Sequence, residues 1–220
     1  MTPPRFVLGA DIGQSHDYTA LIILERAGTE LHARHIERLP LGLSYPDQVT
    51  RIAALVASPQ LARNVTVTVD ATGVGKPIVD LLRAALRPLG TPVVGVIISG
   101  GATATRVGSR WSVPKRDLIA AAQVALQTKR LKISSALPAA QTLVDELTAY
   151  RVTIGDNGHD SFGNSREAAN DDLVLAIALA TYVADRRVRR ARITHVGLDP
   201  SLQRAMGEAH KGAIGSGVLR

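Results

Sequence analysis

The sequence predicts an α/β domain, and three observations carry that prediction. Short apolar, β-branched runs recur along the chain, and segments with apolar residues at three- and four-residue spacing alternate with the later ones. Two of the runs, Phe6–Ala10 and Val65–Val69, lead directly into an aspartate followed by a glycine-bearing corner. With 220 residues and 45% hydrophobic content, the chain is long enough to build a full core. The expected division is a folded domain over 1–190 and a basic C-terminal tail over 191–220.

Taken in order, Phe6–Ala10 delivers Asp11 to the corner at Gly13, and Thr19–Leu24 resumes as a second strand, so the opening reads as a β-hairpin. A turn at Ala27-Gly28-Thr29 precedes a third strand, Glu30–Leu39, giving three antiparallel strands in a row. Ser44 is the expected cap of a helix with Pro46 in its first turn; Val49, Ile52, Ala53 and Val56 form its apolar face, and Pro59 stops it. Val65–Asp70 alternates strictly and is rich in β-branched residues, a strand that again ends in an acid. Pro77–Leu86 places Ile78, Leu81, Leu82 and Ala85 on one helix face, and Val93–Ile98 is wholly apolar, as in a strand buried on both faces.

Gly100–Arg110 is small and polar and reads as a loop, either a surface linker or a substrate-facing segment. Pro114-Lys115-Arg116-Asp117 opens a helix to about Thr128, Lys129–Ile133 is a basic connector, and Leu137–Tyr150 is a further helix. Gly155–Asn164 is either a turn between two short strands or an open loop. Asn170-Asp171-Asp172 then starts a helix from Leu173 to about Arg187 that is apolar nearly all round and is therefore expected to be buried. Beyond it, Leu202–His210 is at most a short helix.

Net charge is +7 with pI near 10.2, and eight basic against two acidic residues from Arg186 onward supply six of those seven charges. A near-neutral body with a basic appendage suits a polyanionic partner. No apolar run is long enough for a transmembrane helix, and Met1–Pro4 has neither the basic flank nor the apolar stretch of a signal peptide, so no membrane partner is expected. The absence of cysteine removes disulfides, thiolate nucleophiles and Cys-ligated zinc and is compatible with the cytoplasm.

Three acidic positions share a pattern: Asp11 and Asp70 each close a strand, and Asp171 with Asp172 open the buried helix. If those strands are neighbours and the helix start faces their ends, the carboxylates converge. Such a cluster repels itself unless cations intervene, and it suits two Mg2+ or Mn2+ ions and hydrolysis of phosphodiesters. Turn chemistry for Asp11 and helix-dipole stabilisation for Asp171 and Asp172, with Asn170 as a cap, are the purely structural alternatives. His16 and Asp17 are candidates to support the site, and Lys76, Arg106, Arg110, Lys115 and Arg116 are candidates to contact nucleic-acid phosphate. Asp70-Ala-Thr-Gly-Val-Gly-Lys76-Pro77 is not a P-loop: Asp70 stands where the first glycine is required and Pro77 where Ser or Thr is.

Gly9-Ala-Asp-Ile-Gly13 through Asp17-Tyr-Thr-Ala20, then Val69-Asp-Ala-Thr-Gly-Val-Gly75, then Asn170-Asp-Asp-Leu-Val-Leu-Ala-Ile-Ala178 together resemble the nuclease domain of phage large terminase subunits, in the RNase H-like (retroviral integrase) superfamily. The resemblance spans about Arg5 to Arg187. It implies a mixed sheet flanked by helices, two divalent ions, and endonucleolytic cutting of double-stranded DNA during genome packaging, in the host cytoplasm. It further implies that Asp11 bridges both ions, that Asp70 is its partner on the neighbouring strand, and that Asp171 or Asp172 is the third acid. The chain has no Walker A motif: either it is a separately encoded or excised nuclease module, for which an ATPase motor or portal protein is the candidate partner, or it works without the motor. Asn170 stands where many relatives have His, and Leu175 where some have another acid. A junction resolvase or structure-specific nuclease shares the same acids, and a non-catalytic DNA-binding packaging module is the alternative from outside enzymology. An actin-like kinase would need two such domains.

Overall fold

A computed structural model describes residues 5–13, 17–72, 75–107, 110–154, 160–164 and 170–195. The chain falls into two compact units, Pro4–Asp185 and a smaller one made of Met1–Pro3 with Arg186–Arg220. Of the smaller unit only 186–195 is described, as helix.

Strands β1 (Phe6–Asp11), β2 (Ala20–Ala27) and β3 (Glu30–Arg38) form the expected antiparallel meander. Helix α1 (Tyr45–Val56) starts where the sequence places it: Ser44 Oγ accepts the Asp47 N–H at 3.3 Å, and Pro46 needs no hydrogen-bond partner in the first turn. Strand β4 (Val65–Asp70) returns parallel to β1, and after α2 (Gly75–Leu86) strand β5 (Val93–Ser99) runs parallel to β4.

The segment read as a loop over Gly100–Arg110 is in part sheet. Strands β6 (Thr105–Val107) and β7 (Arg110–Pro114) form an antiparallel edge pair, with β7 parallel to β5. Polar side chains hid it, because an edge strand shows the alternation of a buried face only weakly. Helix α3 (Lys115–Gln127) follows, then β8 (Leu131–Lys132), a two-residue strand inside the expected basic connector that pairs with β3. The sheet order is β6-β7-β5-β4-β1-β2-β3-β8, a mixed eight-stranded sheet.

Helix α4 (Ala140–Ala149) lies within the expected span, and β9 (Tyr150–Ile154) pairs antiparallel with β10 (Asp160–Asn164), the paired-strand alternative for that region. Helix α5 (Asp172–His195) is longer than predicted. The helix expected at Leu202–His210 lies outside the described residues. Among the described residues no helix is long and apolar enough to cross a membrane.

Strand periodicity decides what each face of the sheet meets. Phe6, Leu8 and Ala10, with Val65, Val67 and Val69, join one core shared with Ile52 and Val56 of α1 and Ile78, Leu82 and Leu86 of α2. The intervening residues of β1, Val7, Gly9 and Asp11, turn to the opposite face, as do Thr66, Thr68 and Asp70 of β4. That opposite face is covered by α5. Leu173, Ala176, Ile177 and Ala180 pack with Val7 and β2, while Val174, Leu175, Ala178 and Leu179 pack with Val96, Val113 and α3. The near-continuous apolar surface of α5 therefore serves two cores at once.

Candidate active site

β1 and β4 are in register from Phe6↔Val65 to Ala10↔Val69, so the next residue of each parallel strand, Asp11 and Asp70, comes side by side at the same sheet end. The period-2 argument puts both on the α5 face. Gly9 lets α5 come close enough to matter: a Cβ there would lie 2.1 Å from the Ala176 carbonyl oxygen and 3.0 Å from the Ala180 methyl. The backbone of α5 rests on β1, and its first residues reach the strand ends.

Electrostatics agree with the convergence. Burial, followed by the charges of Asp70, Asp171 and Asp172, raises the Asp11 carboxyl well above its ordinary value, with Lys115 acting in the opposite sense. Burial also raises Asp70, opposed by hydrogen bonds from Thr72 and by the Lys115 charge. Asp70 is oriented locally: the Thr72 N–H and hydroxyl both donate to its Oδ1, at 2.8 and 2.6 Å. The Thr72 Oγ1 in turn accepts the Ile98 N–H at 2.7 Å, which ties this corner to β5.

The adjacent aspartates of α5 have different surroundings. Asp172 is buried, 4% exposed, and Arg38 at the end of β3 donates to both its oxygens, Nε to Oδ2 at 2.7 Å and Nη2 to Oδ1 at 2.9 Å. Burial raises its carboxyl and Arg38 works against that rise. The Asp171 side chain is 30% exposed and faces the Lys115 ammonium at 3.3 Å. Lys115 also lies over the Tyr150 ring, 5.9 Å from its centroid.

The start of α5 is held from another helix. The Leu173 and Val174 N–H groups donate to Glu146 Oε2 of α4, at 3.1 and 3.3 Å, and the other carboxylate oxygen of Glu146 meets Arg38. Burial first, then Asp172, raises Glu146 to about 7. Arg38 itself stacks against Tyr18, 5.0 Å from the ring centroid. On the other side, Thr19 and the buried Gln48 fix the corner after Asp11. The Gly13 N–H donates to Thr19 Oγ1 at 3.0 Å, and Gln48 Nε2 donates to the Gly13 carbonyl at 2.9 Å.

The structure thus brings together Asp11, Asp70, Asp171 and Asp172, and adds Lys115, expected only as a phosphate contact. Asp17 is exposed, and His16 lies outside the described residues. Arg106 is exposed on β6 and Arg110 half-buried on β7; Arg116 donates to the Ala102 carbonyl at 2.6 Å; the Lys76 side chain lies outside the described residues. Sequence reasoning missed Arg38, Glu146, Thr72 and Gln48. Only Thr72, two residues after a strand-ending Asp, carried a local signal, that of an Asx turn.

Among the described residues no three His, Asp or Glu side chains are grouped as a ready metal cage. In this arrangement Asp70 is turned to Thr72 and Asp171 to Lys115. The donor chemistry nonetheless fits a hard divalent cation: three partly accessible carboxylates, Asp11, Asp70 and Asp171, on separate elements, with Asp11 burdened by the charge of the other two.

Comparison with known proteins agrees with this fold. The family model for the Terminase RNaseH-like domain matches residues 8–182. The large terminase nuclease from thermophilic phage G20c, solved with bound magnesium, has a TM-score of 0.58 at 22% identity, over 82% of each chain. The nuclease domain of the large terminase subunit gp2 of bacterial virus Sf6 has a TM-score of 0.61 at 14% identity, over 82% of this chain and 89% of that one. A large terminase from a second thermophilic bacteriophage has a TM-score of 0.57 at 14% identity; 83% of this chain is covered but only 40% of that one. No curated protein sequence matches. With the family model covering most of its length and the fold shared with these nucleases, the chain belongs to the terminase RNaseH-like domain family.

Proposed function

We propose that this chain is a divalent-metal-dependent endonuclease that cuts double-stranded DNA in phage genome packaging, with Asp11, Asp70 and Asp171 as the ligands of two Mg2+ or Mn2+ ions. The observation that carries the reading is the convergence of three acids: Asp11 and Asp70 end the paired parallel strands β1 and β4, and Asp171 lies at the start of α5, which packs against β1 at Gly9. Similar nucleases have been solved with magnesium and with manganese, which supports the choice of metal.

Bound there, the ions would supply Lewis acidity and charge neutralisation for in-line hydrolysis of a phosphodiester. The protein's part is to hold the carboxylates in place before the substrate arrives. Asp11, which feels the charge of both Asp70 and Asp171, would hold the ions together with them. Thr72 fixes Asp70. Asp172, already engaged by both guanidinium bonds of Arg38, is left with a structural task, which favours Asp171 in the choice that the sequence leaves open. Lys115 supplies positive charge beside Asp171, the carboxylate that would hold metal. ATP-driven translocation is not assigned to these residues, which contain no Walker A motif; a similar large terminase from a thermophilic bacteriophage has been solved with ATP-gamma-S, and this chain covers 40% of it.

The test is cleavage of supercoiled plasmid with Mn2+, Mg2+ or EDTA, alongside Asp70→Ala. Metal-dependent nicking or linearisation that the variant lacks is the expected result. If the wild-type chain neither cuts DNA nor shows a thermal shift with either metal, the nuclease reading fails and a DNA-binding packaging module takes its place.

A further inference from the structure

Four segments far apart in sequence meet at the first turn of α5. Arg38 from β3 lies over Tyr18, grips both oxygens of Asp172 and touches Glu146 of α4. Glu146, 7% exposed, divides its carboxylate between Arg38 and the Leu173 and Val174 amides. Those amides are among the four N–H groups that a helix start leaves without intrahelical partners. A buried charged group supplied by another helix is an unusual way to satisfy them, because Ser, Thr, Asn or Asp at the helix's own start does so locally.

Burying Arg38, Asp172 and Glu146 together also does little for stability, since apolar side chains of similar volume often serve as well or better. What the network does provide is geometry. The guanidinium fork fixes the direction of Asp172, the shared carboxylate fixes the height and rotation of the helix start, and Asp171 is the next residue.

We infer that Arg38 and Glu146 are positioning residues of the carboxylate site, which fix the first turn of α5 so that Asp171 faces Asp11. The inference rests on the proposed metal site. It goes beyond that site because neither residue is a ligand, and both act through Asp172 and the backbone.

The experiment uses the full chain, titrated with Mn2+ by calorimetry in the absence of DNA, with backbone hydrogen exchange at 173–174 measured before metal is added. Arg38→Lys keeps the charge but loses the fork. Glu146→Gln keeps an acceptor for the amides but turns an NH2 group toward Arg38. Each is expected to speed exchange at Leu173 and Val174 and to weaken Mn2+ binding about 10- to 100-fold. Arg130→Met, which breaks the Arg130–Asp185 pair (2.9 Å) farther along α5, lowers the melting temperature without moving Mn2+ affinity.

If Arg38→Lys and Glu146→Gln bind Mn2+ as tightly as the wild type, the inference falls even where exchange is faster, because the network is then only structural. If Arg130→Met weakens Mn2+ equally, the effect is general destabilisation and the inference likewise falls. A wild-type chain that binds no Mn2+ overturns the metal site itself, and the inference with it.

Discussion

Arg38 holds Asp172 by two hydrogen bonds, at 2.7 and 2.9 Å, across 134 residues of sequence. That pair separates two adjacent aspartates into different chemical roles: Asp172 is neutralised inside the protein, and Asp171 is left partly accessible beside Asp11 and Asp70. The separation can be read in two variants. Asp171→Asn is expected to abolish cleavage and the metal-induced thermal shift while leaving the fold intact. Asp172→Asn removes the carboxylate that the guanidinium fork grips, leaves Arg38 to Glu146, and is expected to destabilise by up to about 3 kcal/mol, the low end of the cost of breaking a buried ion pair. Thermal melts in EDTA and in Mn2+ distinguish them, and equal melting temperatures for the two variants in EDTA would contradict the assignment.

Asp11 gives a prediction of opposite sign. Its carboxyl is raised in the folded state, so the stability it contributes is present below the ordinary carboxylate pKa and is lost as pH rises through the folded value. Once ionised, and without metal, it repels Asp70, Asp171 and Asp172. Asp11→Asn should therefore raise the melting temperature in EDTA, each kcal/mol of relief showing as about 2–4 °C, while removing the rise that Mn2+ produces in the wild type. A lower melting temperature for Asp11→Asn in EDTA would mean that the carboxylates do not repel one another.

The strand-ending acids were legible in the sequence because period-2 alternation and register are short-range rules: β1 and β4 each announce a buried strand, and an acid at the end of each stands out. The helix start was legible as well, since few helices are apolar all round and open on two acids. What separates Asp171 from Asp172 was not legible. It depends on Arg38 and Glu146, which in the sequence look like solvated charges at the end of a strand and on a helix face. Only tertiary packing brings them to α5. The β6–β7 pair was missed for a related reason, since two short strands at the sheet's edge, with Arg106 on β6 and Arg110 on β7, carry little apolar alternation to read.

Gly9 tests how the helix is seated. A methyl group there meets the Ala176 carbonyl oxygen at 2.1 Å, and neither backbone can yield without shifting α5 along β1. Gly9→Ala is expected to cost about 1–3 kcal/mol, as overpacking of a close-packed core does, and to lower cleavage further by moving Asp171 relative to Asp11. Urea unfolding combined with plasmid cleavage measures both. Wild-type stability in this variant would show that α5 does not rest on β1 as described.

Thr66 concerns stability alone. Its hydroxyl is buried on the α5 face of β4 and has no hydrogen-bond partner, so its desolvation is uncompensated. Thr66→Val keeps the shape and removes the polar atom. It should stabilise the protein by about 1 kcal/mol and leave cleavage unchanged, as measured by the urea midpoint at constant slope.

Glu146 provides the pH signature of the network around α5. Burial, reinforced by Asp172, outweighs Arg38 and the two amide bonds and brings its folded-state pKa to about 7, above its ordinary value of 4.5. Between those two values the folded protein binds a proton that the unfolded chain has released, so stability falls as pH rises through that window. Glu146→Gln resembles the protonated form at every pH. Its melting temperature relative to the wild type should therefore climb from pH 4.5 to about 7 and level off above, even if both proteins drift together because of the other carboxylates. A difference that stays flat across this range would place the Glu146 carboxylate in contact with water, and the clamp on the Leu173 and Val174 amides would then be too loose to orient Asp171.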